Sequence, residues 1–302
     1  MDATGRYIWS ATKAAYRSRT SCKVVKDKLQ GKDGADRLYG GYDQDDLSGG
    51  WGNDRLYGGY DDDFLYGEAG NDQLFGEQDD DHLEGGVGSD TLDGGLGKDT
   101  MIGGAGNDVY YLGYDAADVI TDQGLPGDVD TVVMPYQLAK YTLPGGIENG
   151  AIAEGTQNSS LSGNNGDNTL TGNDGDNGLN GGVGHDSLFG GAGADTLTGG
   201  SGADRFDFNV VADSSGGVMD VVRDFNRNDG DKIDLAGIDA NIARPGDQSF
   251  TLLDGGAFTS AGQLHFDAAA HVLYGSNDND GAVEFAIQLN GITGLSAASL
   301  IL

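Results

Sequence analysis

Cysteine is nearly missing. Cys22 stands alone among 302 residues, so an internal disulfide framework is excluded while the redox compartment stays open. Basic residues are scarce as well. Seventeen Lys and Arg face 49 Asp and Glu, for a net charge of −32, which predicts a soluble chain repelled by nucleic acid and by anionic membranes. No apolar run approaches 18 residues, so no transmembrane segment is expected. The first thirty residues lack an apolar core of seven or more and are not a secretory signal peptide. They hold seven basic residues against Asp2 and Asp27, a net of +5 that leaves −37 on residues 31–302. Residues 1–30 therefore read as a basic, disordered arm, with a non-native start or the stub of an upstream domain as alternatives.

Catalytic signatures are absent too. The four histidines, His82, His185, His265 and His271, form no H-E-x-x-H zinc motif and read as surface or packing residues. Gly199-Gly200-Ser201-Gly202-Ala203 misses the last glycine of a G-x-S-x-G nucleophile elbow. The chain reads as noncatalytic.

Glycine and aspartate are abundant, and they are ordered. Nine consecutive nine-residue units run from Gly31 to Tyr111. Each has aspartate at position six: Asp36, Asp45, Asp54, Asp63, Asp72, Asp81, Asp90, Asp99 and Asp108. Position eight is apolar throughout: Leu38, Leu47, Leu56, Leu65, Leu74, Leu83, Leu92, Met101 and Tyr110. An acidic glycine linker would share this composition but would not keep aspartate and leucine in frame nine times. The unit reads G-G-x-G-x-D-x-U-x, the pattern of a calcium-binding parallel β-helix.

The expected geometry follows from the residues. Glycines at positions one, two and four supply φ > 0 and bend the chain back, and the last three residues form a short strand. Two units make one turn of a flattened coil, turns stack at roughly 4.8 Å, and the leucines meet in a thin core. Aspartates then align every 18 residues, Asp36, Asp54 and Asp72 in one column and Asp45, Asp63 and Asp81 in the other. Two carboxylates about 5 Å apart repel by roughly 3 kcal/mol at an effective dielectric of 20. A divalent cation between turns reverses that sign, and calcium suits the place because it takes six to eight oxygens in loose geometry. Asp43, Asp61 and Asp79 replace glycine at position four on one edge and read as surface charge rather than further ligands. Tyr39, Tyr57 and Phe75 share an outer face and read as a stacking ladder rather than a ligand platform.

A second tract in the same frame runs from Gly163 to Asp207, with Asn168, Asn177, Asp186, Asp195 and Asp204 at position six. Leu170, Leu179, Leu188, Leu197 and Phe206 hold position eight, and a degenerate unit before the tract keeps only Leu161. Asparagine offers an oxygen without charge, so Asn168 and Asn177 are expected to bind calcium more weakly. If each ion needs two units on one edge, the tracts allow about seven and about three sites, about ten calcium ions at most. Between the tracts, residues 112–157 lose the period and read as an irregular β connection. After Phe208, the segments 218–225, 231–235, 248–253, 263–266 and 283–289 look like strands of a small sandwich-like domain. Ser276–Gly281 is an acidic loop, read as a hairpin turn with an extra cation site as the alternative.

The repeats resemble those of the repeats-in-toxin, or hemolysin-type calcium-binding, proteins. Gly199-Gly200-Ser201-Gly202-Ala203-Asp204-Arg205-Phe206, Asp220-Val221-Val222-Arg223-Asp224-Phe225, Gly230-Asp231-Lys232-Ile233-Asp234-Leu235 and Phe285-Ala286-Ile287-Gln288-Leu289 resemble the C-terminal domain of serralysin-type secreted proteases. Similar modules also follow alginate epimerases and other secreted carbohydrate-acting enzymes. The resemblance implies a secreted, extracellular protein that passes the type I secretion machinery unfolded, by a C-terminal signal ending Ser299-Leu300-Ile301-Leu302, and then folds around calcium. Sites like those of extracellular modules, with dissociation constants on the order of 10⁻⁴–10⁻³ M, would stay empty in cytosol and fill outside. The predicted fold is all-β. It comprises a first β-roll at 31–111, the connection at 112–157, a second β-roll at 158–208, and a sandwich-like C-terminal domain at 209–302. Two alternatives remain at this stage: the noncatalytic part of an exported metalloprotease or carbohydrate-acting enzyme, and an extracellular adhesive or matrix protein. No residue pattern names a surface or glycan partner.

Overall fold

A computed structural model describes residues 26–114, 118–122, 125–215 and 218–302. Most of the predicted arm, residues 1–25, lies outside the described residues. The chain divides into two compact units, with the boundary between Leu138 and Ala139. Among the described residues, helix is limited to two short 3-10 turns, Val211–Ser214 and Ala297–Ser299.

In the first unit, alternate strands form two parallel rows. One row contains Lys28–Asp33, Asp46–Trp51, Phe64–Ala69, His82–Val87, Thr100–Ala105 and Val119–Thr121. The other contains Arg37–Gly41, Arg55–Gly59, Gln73–Gln78, Thr91–Leu96, Val109–Tyr111 and Thr131–Met134. Register is set by the 18-residue repeat, so that Leu47 pairs with Leu65 and Leu56 with Leu74. Every position-eight residue from Leu38 to Tyr110 is buried. Such a core is one side chain deep per turn, and each leucine is touched by its neighbours above and below. Leu65→Ala in calcium is therefore expected to cost about 2–5 kcal/mol, read from the shift of a denaturant midpoint.

Three expectations are corrected here. The roll begins before Gly31: Lys28–Asp33 is already a strand, Leu29 is buried, and Asp27 occupies a position-six place. The frame was hidden because no position-one glycine precedes Asp27. Most strands of this roll are also longer than three residues, covering positions seven to nine and continuing through position three. Finally, only positions two and four are left-handed, as at Gly50 (φ 111°) and Gly52 (φ 124°). Lys32, Glu68, Glu77, Asp43, Asp61 and Asp79 adopt the same region with φ between 71° and 82°, which side chains tolerate poorly. Position one is glycine for a different reason, taken up below.

The second unit repeats the plan. Asn149–Ile152, Thr169–Thr171, Ser187–Phe189, Arg205–Asp207, Lys232–Asp234 and Leu300–Ile301 form one parallel row. The opposite row runs Lys140–Thr142, Ser160–Ser162, Gly178–Val183, Thr196–Ser201 and Asp220–Val222, then continues through Phe285–Leu289, Val272–Ser276, Gln263–Asp267 and Thr251–Leu253. Among the described residues, only the pairings of Val272–Ser276 with its two neighbours are antiparallel. The region from 209 onward is thus not walled off as its own unit. Its strands extend the two rows of the roll, and its sandwich character is confined to the antiparallel end. Likewise the predicted connection at 112–157 is divided: Val119–Thr121 and Thr131–Met134 belong to the first unit, Lys140–Thr142 and Asn149–Ile152 to the second. Loops of unequal length hid these turns from a periodic reading.

Candidate metal centre

All twelve position-six aspartates are buried, at 0–3% exposure. In eleven of them, Asp45 onward, one carboxylate oxygen accepts a backbone N–H from the preceding turn. Asp54 Oδ1 accepts the Asp36 N–H at 2.7 Å, Asp63 Oδ1 that of Asp45 at 2.7 Å, and Asp72 Oδ1 that of Asp54 at 2.7 Å. The two predicted columns are therefore real hydrogen-bonded ladders. The second oxygen is the informative one. In Asp45, Asp54, Asp63, Asp72, Asp81, Asp90, Asp108, Asp186, Asp195 and Asp204, Oδ2 is buried and has no hydrogen-bond partner. Asp36 and Asp99 share the same buried position.

That oxygen explains the glycine at position one. A Cβ on Gly58 would lie 2.5 Å from Asp63 Oδ2 and 2.8 Å from the Gly76 carbonyl of the next turn. Backbone carbonyl and carboxylate therefore converge where any side chain would intrude. Gly58→Ala is expected to weaken calcium binding at least about tenfold, because displacing these oxygens forfeits about 1.4 kcal/mol or more per affected site. Calorimetric titration against the parent chain measures it.

Burial without a proton donor has an electrostatic consequence. Desolvation, offset in part by the backbone N–H and reinforced by neighbouring carboxylates, raises Asp63 to about 7, Asp81 to about 8 and Asp90 to about 7. Asp45 and Asp54 rise to about 6, Asp108 and Asp195 to about 7. Asp72, Asp186 and Asp204 move in the same direction for the same leading reason. Each such group demands either a proton or a cation.

The columns extend past the repeats. Asp118 Oδ1 accepts from Asp99 N–H at 3.1 Å and Asp130 Oδ1 from Asp108 N–H at 2.7 Å. In the second unit Asp220 Oδ1 accepts from Asp195 N–H at 2.8 Å and Asp231 Oδ1 from Asp204 N–H at 3.0 Å. All four are buried. Sequence reading missed them because their spacings are 19, 22, 25 and 27 residues instead of 18. Asn168 and Asn177 occupy the predicted places, but their side chains are hydrogen-bonded on both the oxygen and the nitrogen.

Other predicted features resolve clearly. Asp43, Asp61 and Asp79 form an exposed ladder in which each later carboxylate accepts the earlier residue's N–H, at 3.2 and 3.0 Å. A further ladder at position five, unforeseen from the sequence, includes Asn53, Asn71 and Ser89. The second unit has its own ladder at this position, in which Asp167 Oδ1 accepts the His185 N–H at 2.7 Å and His185 Nδ1 accepts the Ala203 N–H at 2.8 Å. Tyr39, Tyr57 and Phe75 stack with ring centroids 4.8 and 4.9 Å apart and nearly parallel planes, so their faces are used on each other. Tyr42 and Tyr60 make a second such pair at 4.9 Å. Asp278, Asp280 and Glu284 lie close together in the loop between Val272–Ser276 and Phe285–Leu289, which is the predicted hairpin connection. Their carboxylates accept the N–H groups of Asp280, Ala282 and Asn277.

Comparison with known proteins gives the same division of the chain. A model of the RTX calcium-binding nonapeptide repeat matches residues 26–56, 48–83 and 75–110. A model of the peptidase M10 serralysin C-terminal domain matches residues 145–301, more than half of the chain. A solution structure of the AlgE6R3 subunit from the Azotobacter vinelandii mannuronan C5-epimerase is 29% identical, with a match covering 48% of this chain and 77% of that one at a TM-score of 0.36. No curated protein matches. The buried aspartate ladders, the calcium-binding repeats and the span of the second match lead to one assignment: this chain, bearing RTX repeats, belongs to the peptidase M10 serralysin C-terminal family.

Proposed function

We propose that the chain is a secreted, noncatalytic calcium-binding protein whose rolls fold around calcium after type I export. The observation that carries this reading is the set of buried Oδ2 atoms without a proton donor on ten of the twelve position-six aspartates, from Asp45 to Asp204. A carboxylate in that setting is costly unless a cation compensates it. The hard oxygen donors suit calcium, which accepts both carboxylate and backbone carbonyl oxygens. The position-six aspartates of both tracts are the ligands, with loop carbonyls completing each shell. Calcium is then structural glue and folding trigger together, since ligands dispersed in an unfolded chain bind only as the turns stack. Export fits the same chemistry, because weak sites fill only where calcium is plentiful. Among the described residues, no helix is long and apolar enough to cross a membrane.

Far-UV circular dichroism of the purified chain, titrated from chelator into millimolar calcium, tests the reading. A cooperative gain of strand signal with calcium and none with magnesium is expected. A full strand signal in metal-free chelator would overturn it. Proteolytic activity in the pure chain would overturn the noncatalytic part alone.

A second reading is favoured by the serralysin C-terminal match at 145–301. Here the chain is the calcium-binding and export portion of a larger metalloprotease. An in-frame H-E-x-x-H in the DNA upstream of Met1 would establish it, and a stop codon there would remove it.

A further inference from the structure

The two turns that open the second tract are built differently from the aspartate turns. Asn168 and Asn177 stand at position six, with Asn164 and Asn173 at position two of the same units. In the aspartate turns that follow, the oxygen beside the position-one glycine lacks a hydrogen-bond partner, as at Asp186 and Asp195. The matching oxygen of Asn168, beside Gly163, accepts the Asn164 N–H at 2.7 Å. That of Asn177, beside Gly172, accepts the Asn173 N–H at 2.7 Å.

The amide nitrogens are also engaged. Asn168 Nδ2 donates to the carbonyls of Ile147 and Glu148 at 2.9 and 3.2 Å, and Asn177 Nδ2 to Asn173 Oδ1 at 3.2 Å. Asn164 Nδ2 donates to the Pro144 and Ile147 carbonyls at 2.8 and 2.7 Å, and Asn173 Nδ2 to that of Ala153 at 2.9 Å. Their own Oδ1 atoms accept the N–H groups of Gly166 and Gly175. The backbone differs to match. Gly182, Gly184, Gly191 and Gly193 are left-handed at positions two and four, whereas Asn164, Gly166, Asn173 and Gly175 are not.

These are two solutions to one problem. A buried carboxylate needs an external positive charge, but an amide carries its donor and acceptor together and is neutral. Once both ends are hydrogen-bonded, burial leaves nothing for a cation to repair. The backbone carbonyls of Ile147, Glu148 and Ala153 are likewise occupied by N–H donors.

We propose that residues 143–180 form a calcium-independent seed of the second roll, on which the aspartate turns from Asp186 onward assemble once calcium arrives. This rests on the calcium-folding reading above. The seed has a physical use: it holds strands of both rows in place, so the first ion meets a preformed neighbour instead of a disordered chain.

Hydrogen exchange on the full chain, read by mass spectrometry of its peptides, tests this. In chelator, amides of residues 160–178 are expected to exchange about 100-fold more slowly than those of 36–108, with both segments protected in calcium. The double variant Asn168→Asp, Asn177→Asp puts two uncompensated carboxylates in the seed. Its residues 160–178 should exchange rapidly in chelator and regain protection in calcium, which also shows that the variant still folds. Rapid exchange of 160–178 in the parent chain without calcium overturns the seed, as does unchanged protection in the double variant. Slow exchange of every segment in chelator overturns the calcium-folding reading, and the contrast between the two kinds of turn falls with it.

Discussion

In chelator, the chain is expected to gain strand structure as the pH is lowered from about 8.5 to about 5, and to lose it on return. The sign follows from the direction of the shifts. Asp63, Asp90, Asp108 and Asp195 are raised to about 7 and Asp81 to about 8 in the folded, ion-free protein, chiefly by burial. In an unfolded chain each titrates near 3.9. The folded state therefore binds more protons between these values. Its relative stability is fully present below the unfolded value and is lost as the pH rises through roughly 6 to 8. Calcium reverses the trend, because protons and cations compete for the same oxygens, so calcium affinity should fall over that window on acidification. Circular dichroism at fixed chelator across the window measures the first effect, and calcium titrations at both ends measure the second. A flat ion-free profile would mean that the Oδ2 atoms are not the source of the instability.

Asp63→Ala, in the middle of its column, is expected to be among the most damaging single changes on the molecule. It removes the acceptor of the buried Asp45 N–H, which costs about 1–3 kcal/mol. On the proposed function it would also remove a calcium ligand, and each site lost would forfeit about 2.7 kcal/mol when calcium stands at 100 times its dissociation constant. Asp61→Ala is the internal control. It lies two residues away in the exposed ladder, and its loss should stay within about 1 kcal/mol. Denaturant unfolding of both variants in millimolar calcium compares them. Equal effects would mean that charge density on the edge, rather than the buried column, governs stability.

Much of this fold was legible because a strict period makes distant residues equivalent. Once Asp36 and Asp54 are known to be 18 apart in a nine-residue frame, their stacking needs no further information, and Leu38 and Leu56 follow. The aromatic ladder of Tyr39, Tyr57 and Phe75 came from the same arithmetic. The reading failed where the period did. Leu29 and Asp27 lay before the first in-frame glycine, and Val119–Thr121 and Asn149–Ile152 lay among loops of irregular length. At position one the repeat suggests a glycine needed for backbone conformation, whereas the glycine is required by the crowding of a carboxylate and a carbonyl in space.

The amino-acid sequence by itself determined the stacked all-β architecture, the two aspartate columns and the leucine core, since an unbroken repeat admits one way for identical units to bury identical side chains. Only the tertiary structure decided where those columns end. Asp118, Asp130, Asp220 and Asp231 join them across spacings that no repeat predicts, because a loop of any length can return to the same edge provided a buried backbone N–H awaits its carboxylate. It likewise decided that Asn168 and Asn177 close their turns with their own amide groups, a choice set by the carbonyls and N–H donors that folding brings within reach.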